Sequence, residues 1–355
     1  MKSKPVIHAI RLFVFSGLLL VNGRADVTPH ALFCDHAVLQ QGEPVPIWGT
    51  ADAGESVSVS LAGQQASAKA GLDGRWSVKL QEMKAGGPHT LVISGKNRIE
   101  YQDVWIGEVW ICSGQSNMER QLGPRSGQQP LVNWEQEAAS ADYPQIRHFA
   151  VARTPSDTVL TETKGKWDVC SPETVANFTA VGYYFGRDIH RHLKVPVGLI
   201  HTSWGGTPAE AWTSMEVLAE RFPQSLGAHE KMLTDYAAAL AKYQVEEPEL
   251  LKAWEEASAK AAAEGKTAPP KPAPPRDPAI GRQNWPARLY QGMLAPIIPY
   301  AMRGVIWYQG ESNASRAAQY RTLFPAMIGD WRTRWGQGDF PFLFVQIAPY
   351  RGMNP

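Results

Sequence analysis

A chain of 355 residues is longer than one small core needs and points to two domains. Its formal net charge of +1, with a pI near 7.8, offers no basic surface for nucleic acid and no acidic tail. The 13 tryptophans are many for this length; most belong to cores, and the rest suit the stacking of sugars or aromatic ligands.

The first 25 residues read as an export signal. Lys2, Lys4 and Arg11 form a basic start, "LFVFSGLLLV" (12–21) is an apolar run too short to span a bilayer, and Gly23 and Ala25 supply small residues before Asp26. The expectation is export to the periplasm or the extracellular space, with no membrane segment once the signal is removed. Cys34, Cys112 and Cys170 allow one disulfide at most, and Cys112 suits a buried free thiol.

From residue 26 to residue 103 short alternating runs follow one another: "EPVPIWGTA" (43–51), "SVSVSLAG" (56–63), "RWSVKL" (75–80) and "HTLVISG" (89–95). Turn residues separate them, which predicts a small antiparallel β-sandwich acting as an accessory domain. From Val104 onward the period changes. "VWIGEVWICS" is almost continuously apolar, as in a parallel strand covered on both faces. Further strands are expected at "IRHFAVA" (146–152), "VPVGLIHT" (195–202), "MRGVIWYQ" (302–309) and "FPFLFVQIA" (340–348), and helices at 180–193 and 319–335. This alternation predicts an α/β fold over 104–355, a three-layer α/β/α sandwich with a parallel sheet whose ligands bind at the carboxyl ends of the strands. Residues 216–280 break the pattern. Their Ala/Glu/Lys spacing, followed by "TAPPKPAPPRDP" (267–278), predicts an inserted helical hairpin with a stiff Pro-rich return. It reads as a surface insertion, a lid or substrate-shaping role being the lesser alternative.

Three loops at strand ends carry chemistry. In "ICSGQSNME" (111–119), Gly114 permits a tight turn and Ser116 opens a helix whose free N–H groups favour an oxyanion. The alternative use of Ser116 is as a helix cap. Met118 occupies the last glycine position of the Gly-x-Ser-x-Gly elbow, which excludes that motif. In "HTSWGGTPAEAW" (201–212), Gly205 and Gly206 allow close backbone approach to a ligand. In "VIWYQGESNAS" (305–315), the Asn313 amide suits an oxyanion, while Gln309 and Glu311, with Gln115 and Trp204 of the other loops, are candidates for sugar hydroxyls.

Together "GEVWICSGQSNME", "SWGGTPAEAW" and "GVIWYQGESN" resemble the sialate O-acetylesterase family of the SGNH (GDSL-like) hydrolases. "LFCDHAVLQQGEPVPIWGTADAGESVSV" is similar to the β-domain that precedes the catalytic domain there, and "WDVCSPETVANFTAVGYYFGRDIH" (167–190) matches too. The resemblance runs from Leu32 to the chain end, the Ala/Pro-rich insertion excepted. It implies a serine esterase that hydrolyses O-acetyl esters on carbohydrates through an acyl-enzyme, on sialic acids in the named members and on xylan-type groups in relatives. It makes Ser116 the nucleophile, with its own N–H, the N–H of Gly205 or Gly206, and the Asn313 side chain as oxyanion donors.

The family's general base comes from an Asp-x-x-His segment after the third loop, and no histidine follows Asn313; the last is His229. The chain therefore reads as a fragment with little or no turnover. His201 ends a strand near the right edge of the sheet but suits a structural role, and His190 and His192 are two residues apart and share no helical face. No metal-ligand cluster or phosphate loop is present, so no cofactor and no metal are expected; the expected partner is an acetylated carbohydrate. A non-catalytic carbohydrate-binding protein and an SGNH esterase for another ester are the alternatives.

Overall fold

The computed structural model describes residues 26–348. The export-signal reading of residues 1–25 lies outside the described residues. Among those described, no helix is long and apolar enough to cross a membrane.

The amino-terminal part consists of short strands: β1 (Thr28–Pro29), β2 (Val38–Gln40), β3 (Val45–Thr50), β4 (Ser56–Leu61), β5 (Gln64–Lys69), β6 (Arg75–Leu80) and β7 (Gly86–Ser94). β1, β3 and β6 form one antiparallel sheet, while β5, β4 and β7 pair antiparallel in another. Along β4 and β6 every second side chain is buried, the period-2 pattern the sequence carries.

The two parts share one strand. β8 (Arg98–Gly114) begins antiparallel to β7 and, without a break, becomes the central strand of the second part. Its burial changes accordingly, from alternating over 98–105 to wholly buried over 106–114. The change of period expected between 103 and 104 falls inside this strand, whose backbone runs on through Asp103 at φ 55°.

Past β8 come α1 (Ser116–Glu119), α2 (Trp134–Ala139), β9 (Tyr143–Ala150), β10 (Trp167–Cys170), α3 (Ala180–Leu193) and β11 (Val197–Ser203). Then follow α4 (Met215–Arg221), α5 (Pro223–Ala263), β12 (Gly304–Tyr308), α6 (Ala317–Trp335) and β13 (Phe342–Phe344). β11 and β12 flank β8 in parallel, ending with Ser203 and Tyr308 both opposite Gly114. β9 and β13 extend these pairs in parallel, whereas β10 lies antiparallel on β9. The whole sheet is mixed, not parallel as the sequence predicts, because β10 reverses at its edge and β8 continues into the β7 hairpin. Alternate residues of β8 and β12 enter different cores. Ile111 and Trp307 join the core that holds Trp331 of α6, and Cys112 and Ile306 join the one that holds Tyr183 of α3.

Polar ties lock the two parts together. Glu108 receives Arg303 Nε at 2.8 Å and Gln41 Nε2 at 2.7 Å, and these donors hold its carboxyl below the usual range despite burial. All three cysteines are free thiols, and burial pushes that of Cys112 up strongly. In place of a hairpin of two comparable helices, residues 216–280 form short α4 leading into the 41-residue α5, which accommodates Pro248. Its return is extended, with Trp254 Nε1 donating to the Pro269 carbonyl at 2.9 Å.

Candidate active site

Ser116 owes its position to a glycine. At Gly114 the backbone has φ +137°, and a Cβ there would lie 2.2 Å from the Tyr308 carbonyl oxygen of β12. Only glycine lets β8 turn this tightly against its neighbour. The Gln115 N–H then donates to the same carbonyl at 2.9 Å, and Ser116 begins α1. Gln115 is the N-cap and no side chain caps the helix, so the Ser116 hydroxyl is half-buried and not spent as a cap. α1 has four residues, too few for the helix dipole the sequence suggests. What it offers is individual first-turn N–H groups without partners inside the helix.

The three loops are tied to one another in every pairing. Gln115 Oε1 accepts the Gly310 and Ser312 N–H groups at 3.3 Å each, and Asn117 Nδ2 donates to Glu311 Oε1 at 2.9 Å. The Trp204 N–H donates to the Gly114 carbonyl at 3.2 Å. Gln309 Nε2 reaches the Thr207 carbonyl at 3.2 Å, and the Ala209 N–H reaches Asn313 Oδ1 at 2.9 Å. Gly205 stands directly beside the serine, because a Cβ built on it would be 3.5 Å from Ser116 Cβ.

The two glycines differ in what remains to donate. The Gly205 N–H is taken by Glu119 Oε2 at 2.9 Å, and a Cβ there would strike that same oxygen at 2.5 Å. Gly206 is exposed, at φ +76°, with open space where a side chain would stand. Asn313 is buried. Its Oδ1 accepts from Ala209 and from Gln309 Nε2 (2.8 Å), and its Nδ2 gives one hydrogen to Glu210 Oε2 at 2.8 Å, leaving a second. Gln115 and Gln309 are also buried; the Gln115 oxygen and both ends of the Gln309 amide are engaged inside the protein, Tyr320 Oη donating to Gln309 Oε1 at 2.9 Å. Glu311 is exposed, and Trp204 is half-buried under the Arg153 guanidinium, 5.5 Å from its ring.

Sequence reasoning missed two carboxylates, Glu119 and Glu210. Glu119 is 5 % exposed and accepts from Arg125 (3.2 Å), Arg153 and Gly205. Glu210 is 5 % exposed and holds both Asn313 and Arg316 (3.1 Å). The available signal was position: Glu119 is three residues from the serine, inside the quoted motif, and Glu210 follows the glycine pair.

No histidine is hydrogen-bonded to Ser116 among the described residues. His201 Nε2 meets Ser203 Oγ at 2.6 Å in a separate cavity of about 320 Å³ walled by Glu119, Arg125 and Arg153. Burial, then His148 and the two guanidiniums, hold its pKa well below the ordinary value. His190 and His192 bond to backbone carbonyls on either side of the α3 end. No group of three or more His, Cys, Asp or Glu side chains is arranged for a metal among the described residues.

Comparison with known proteins puts the chain among the carbohydrate esterases. The family model described as "Carbohydrate esterase, sialic acid-specific acetylesterase" matches residues 106–256 and 280–354. The rat sialate O-acetylesterase is 31 % identical over 91 % of this chain and 61 % of its own length; the human one is 29 % identical over 90 % and 57 %. Among solved structures, a carbohydrate acetylesterase from Xanthomonas citri superposes with a TM-score of 0.69 at 30 % identity, over 90 % of this chain and 60 % of that one. The chain belongs to the sialic acid-specific acetylesterase family. It spans about three fifths of the length of the relatives it matches.

Proposed function

We propose that this polypeptide forms the nucleophile and oxyanion side of a carbohydrate O-acetylesterase built on a three-layer SGNH sandwich. The observation that carries this is the mutual hydrogen bonding of three distant loops around a half-buried serine that no cap consumes. Ser116 Oγ attacks the acetyl carbonyl, the sugar oxygen leaves with a proton, and water releases acetate from the acyl-enzyme. The oxyanion is received by the Ser116 N–H, the Gly206 N–H and the remaining Asn313 Nδ2 hydrogen. Gly206 is preferred because Glu119 already occupies the Gly205 donor. Glu210 fixes the Asn313 amide in the donor orientation. Gln115 and Gln309 serve as ties between loops, while Glu311 and Trp204 face substrate.

A base for Ser116 is not found among the described histidines, so these 355 residues alone release little acetate. That same observation favours the second reading, a carbohydrate-binding protein without turnover. Both are tested by a fluorophosphonate probe with imidazole supplied from solution as base. Labelling at Ser116 that imidazole accelerates and Ser116→Ala abolishes is expected. Labelling at another residue, or none at any imidazole concentration, contradicts the esterase assignment. The natural role after export, in the periplasm or outside the cell, is part of the same proposal.

A further inference from the structure

Next to Gly206 opens a cavity of about 600 Å³, within the range of roughly 300–1,000 Å³ usual for small-molecule sites. One wall belongs to the second and third loops, with Gly206, Glu210, Ser312 and Arg316. Further lining comes from Gln224, His229 and Met232 in the first turns of α5 and from Asn284 and Trp285, which follow the Pro-rich return.

The chemistry of these walls is specific. His229 and Trp285 form their aromatic part, with ring centroids 4.7 Å apart, and Met232 extends the apolar surface. Gln224, Asn284 and Gln319 provide amides, which both donate to and accept from hydroxyls. Gln319 is already aligned by donating to Ser225 Oγ at 2.7 Å. The charged side chains on the walls are spoken for: Arg316 bonds to Glu210 at 3.1 Å, and Glu210 also holds Asn313. Behind Trp285, Arg282 and Arg288 both pair with Asp157. Burial first and the Arg288 guanidinium second lower the pKa of His229. Among the described residues lining the cavity, none is a cation without a carboxylate partner. A substrate carboxylate would be desolvated there without a charge-assisted donor, at a cost that hydroxyl groups do not incur.

We propose that this cavity receives the alcohol half of the ester, and that this half is a neutral oligosaccharide rather than an acidic sugar. The proposal deepens the esterase reading and rests on it for the identity of the cleft. α5 and the segment at 284–285 are then the specificity element: they supply the aromatic wall and two of the three amides, outside the strands of the sheet.

Binding of deacetylated sugars tests this without turnover, using the 355-residue chain with its tryptophan indole N–H resonances assigned by NMR. A neutral β-linked tetrasaccharide is expected to shift the Trp285 resonance, and N-acetylneuraminic acid at equal concentration to leave it in place. Trp285→Ala is expected to weaken the tetrasaccharide by about tenfold or more, and Trp285→Phe, which keeps a ring, to recover most of it. Tighter binding of the acidic sugar, no shift with the neutral one, or full affinity in Trp285→Ala overturns the proposal. If Trp285→Ala does not fold, the Trp285 shift in the unmodified chain still decides. Failure of the esterase reading is seen separately, as absent labelling of Ser116.

Discussion

The loop cluster around Ser116 and helix α5 are held in opposite ways. The loops are short, and their polar side chains Gln115, Glu119, Glu210, Gln309 and Asn313 are all buried and bonded to one another or to backbone. α5 runs for 41 residues with none buried, and its charges pair along its own surface, as Lys231 does with Asp235 at 2.7 Å. Buried polar networks fix geometry and are costly to break, while exposed helix pairs are worth little. The loop cluster is thus the rigid part, and the exposed surface of α5 the more adjustable one.

Cutting one tie in the cluster gives the largest effect. Glu119→Ala strands Arg125, Arg153 and the Gly205 N–H, and unfolding in urea is expected to report a loss of about 3–5 kcal/mol. Glu119→Gln keeps an acceptor for Gly205 and loses less; equal losses would remove the carboxylate from the account. Asn313→Ala is expected to slow imidazole-assisted acyl transfer by about 10²–10³-fold. A rate within a few-fold of the original would exclude it as an oxyanion donor.

Acid tests the buried histidine beside the cluster. His148 is buried against Phe178, their ring centroids 4.5 Å apart, and burial lowers its pKa from the ordinary 6.5 to about 3. The unfolded chain takes up a proton between those values that the folded chain refuses, so stability falls as pH drops from about 6.5 towards 3. His148→Gln should flatten that slope, as read from Tm against pH. The smallest effect belongs to the helix: Lys231→Ala should cost no more than about 0.5 kcal/mol. A larger loss would show that this pair carries more than an exposed i, i+4 contact.

Local features were legible in the sequence and distant partners were not. The amphipathic run at 180–193 gives the limits of α3, and the glycine-bearing strand ends give the three loops. The near-continuous apolar run from Val104 marks only the buried part of β8, and pairing with β7 carries the strand from Arg98. The Ala/Glu/Lys spacing over 216–280 with its Pro-rich return predicts a helical hairpin, whereas α5 alone takes up most of that span and absorbs Pro248. Glu119 and Glu210 were invisible as anchors because their partners Gly205 and Asn313 lie 86 and 103 residues away. Gln115 and Gln309 illustrate the same gap: an amide in a loop motif suggests a ligand, and only the fold reveals the internal bonds of Gln115 Oε1 and of both ends of the Gln309 amide.

A crystal structure of the protein carrying a phosphonate on Ser116 Oγ examines the core of the account most directly. The phosphonyl oxygen should lie about 2.7–3.1 Å from the Gly206 nitrogen and from Asn313 Nδ2, with Gly205 still bonded to Glu119. An oxygen directed away from both donors, or received by Gly205 in place of Glu119, would contradict the arrangement of loops on which everything else depends.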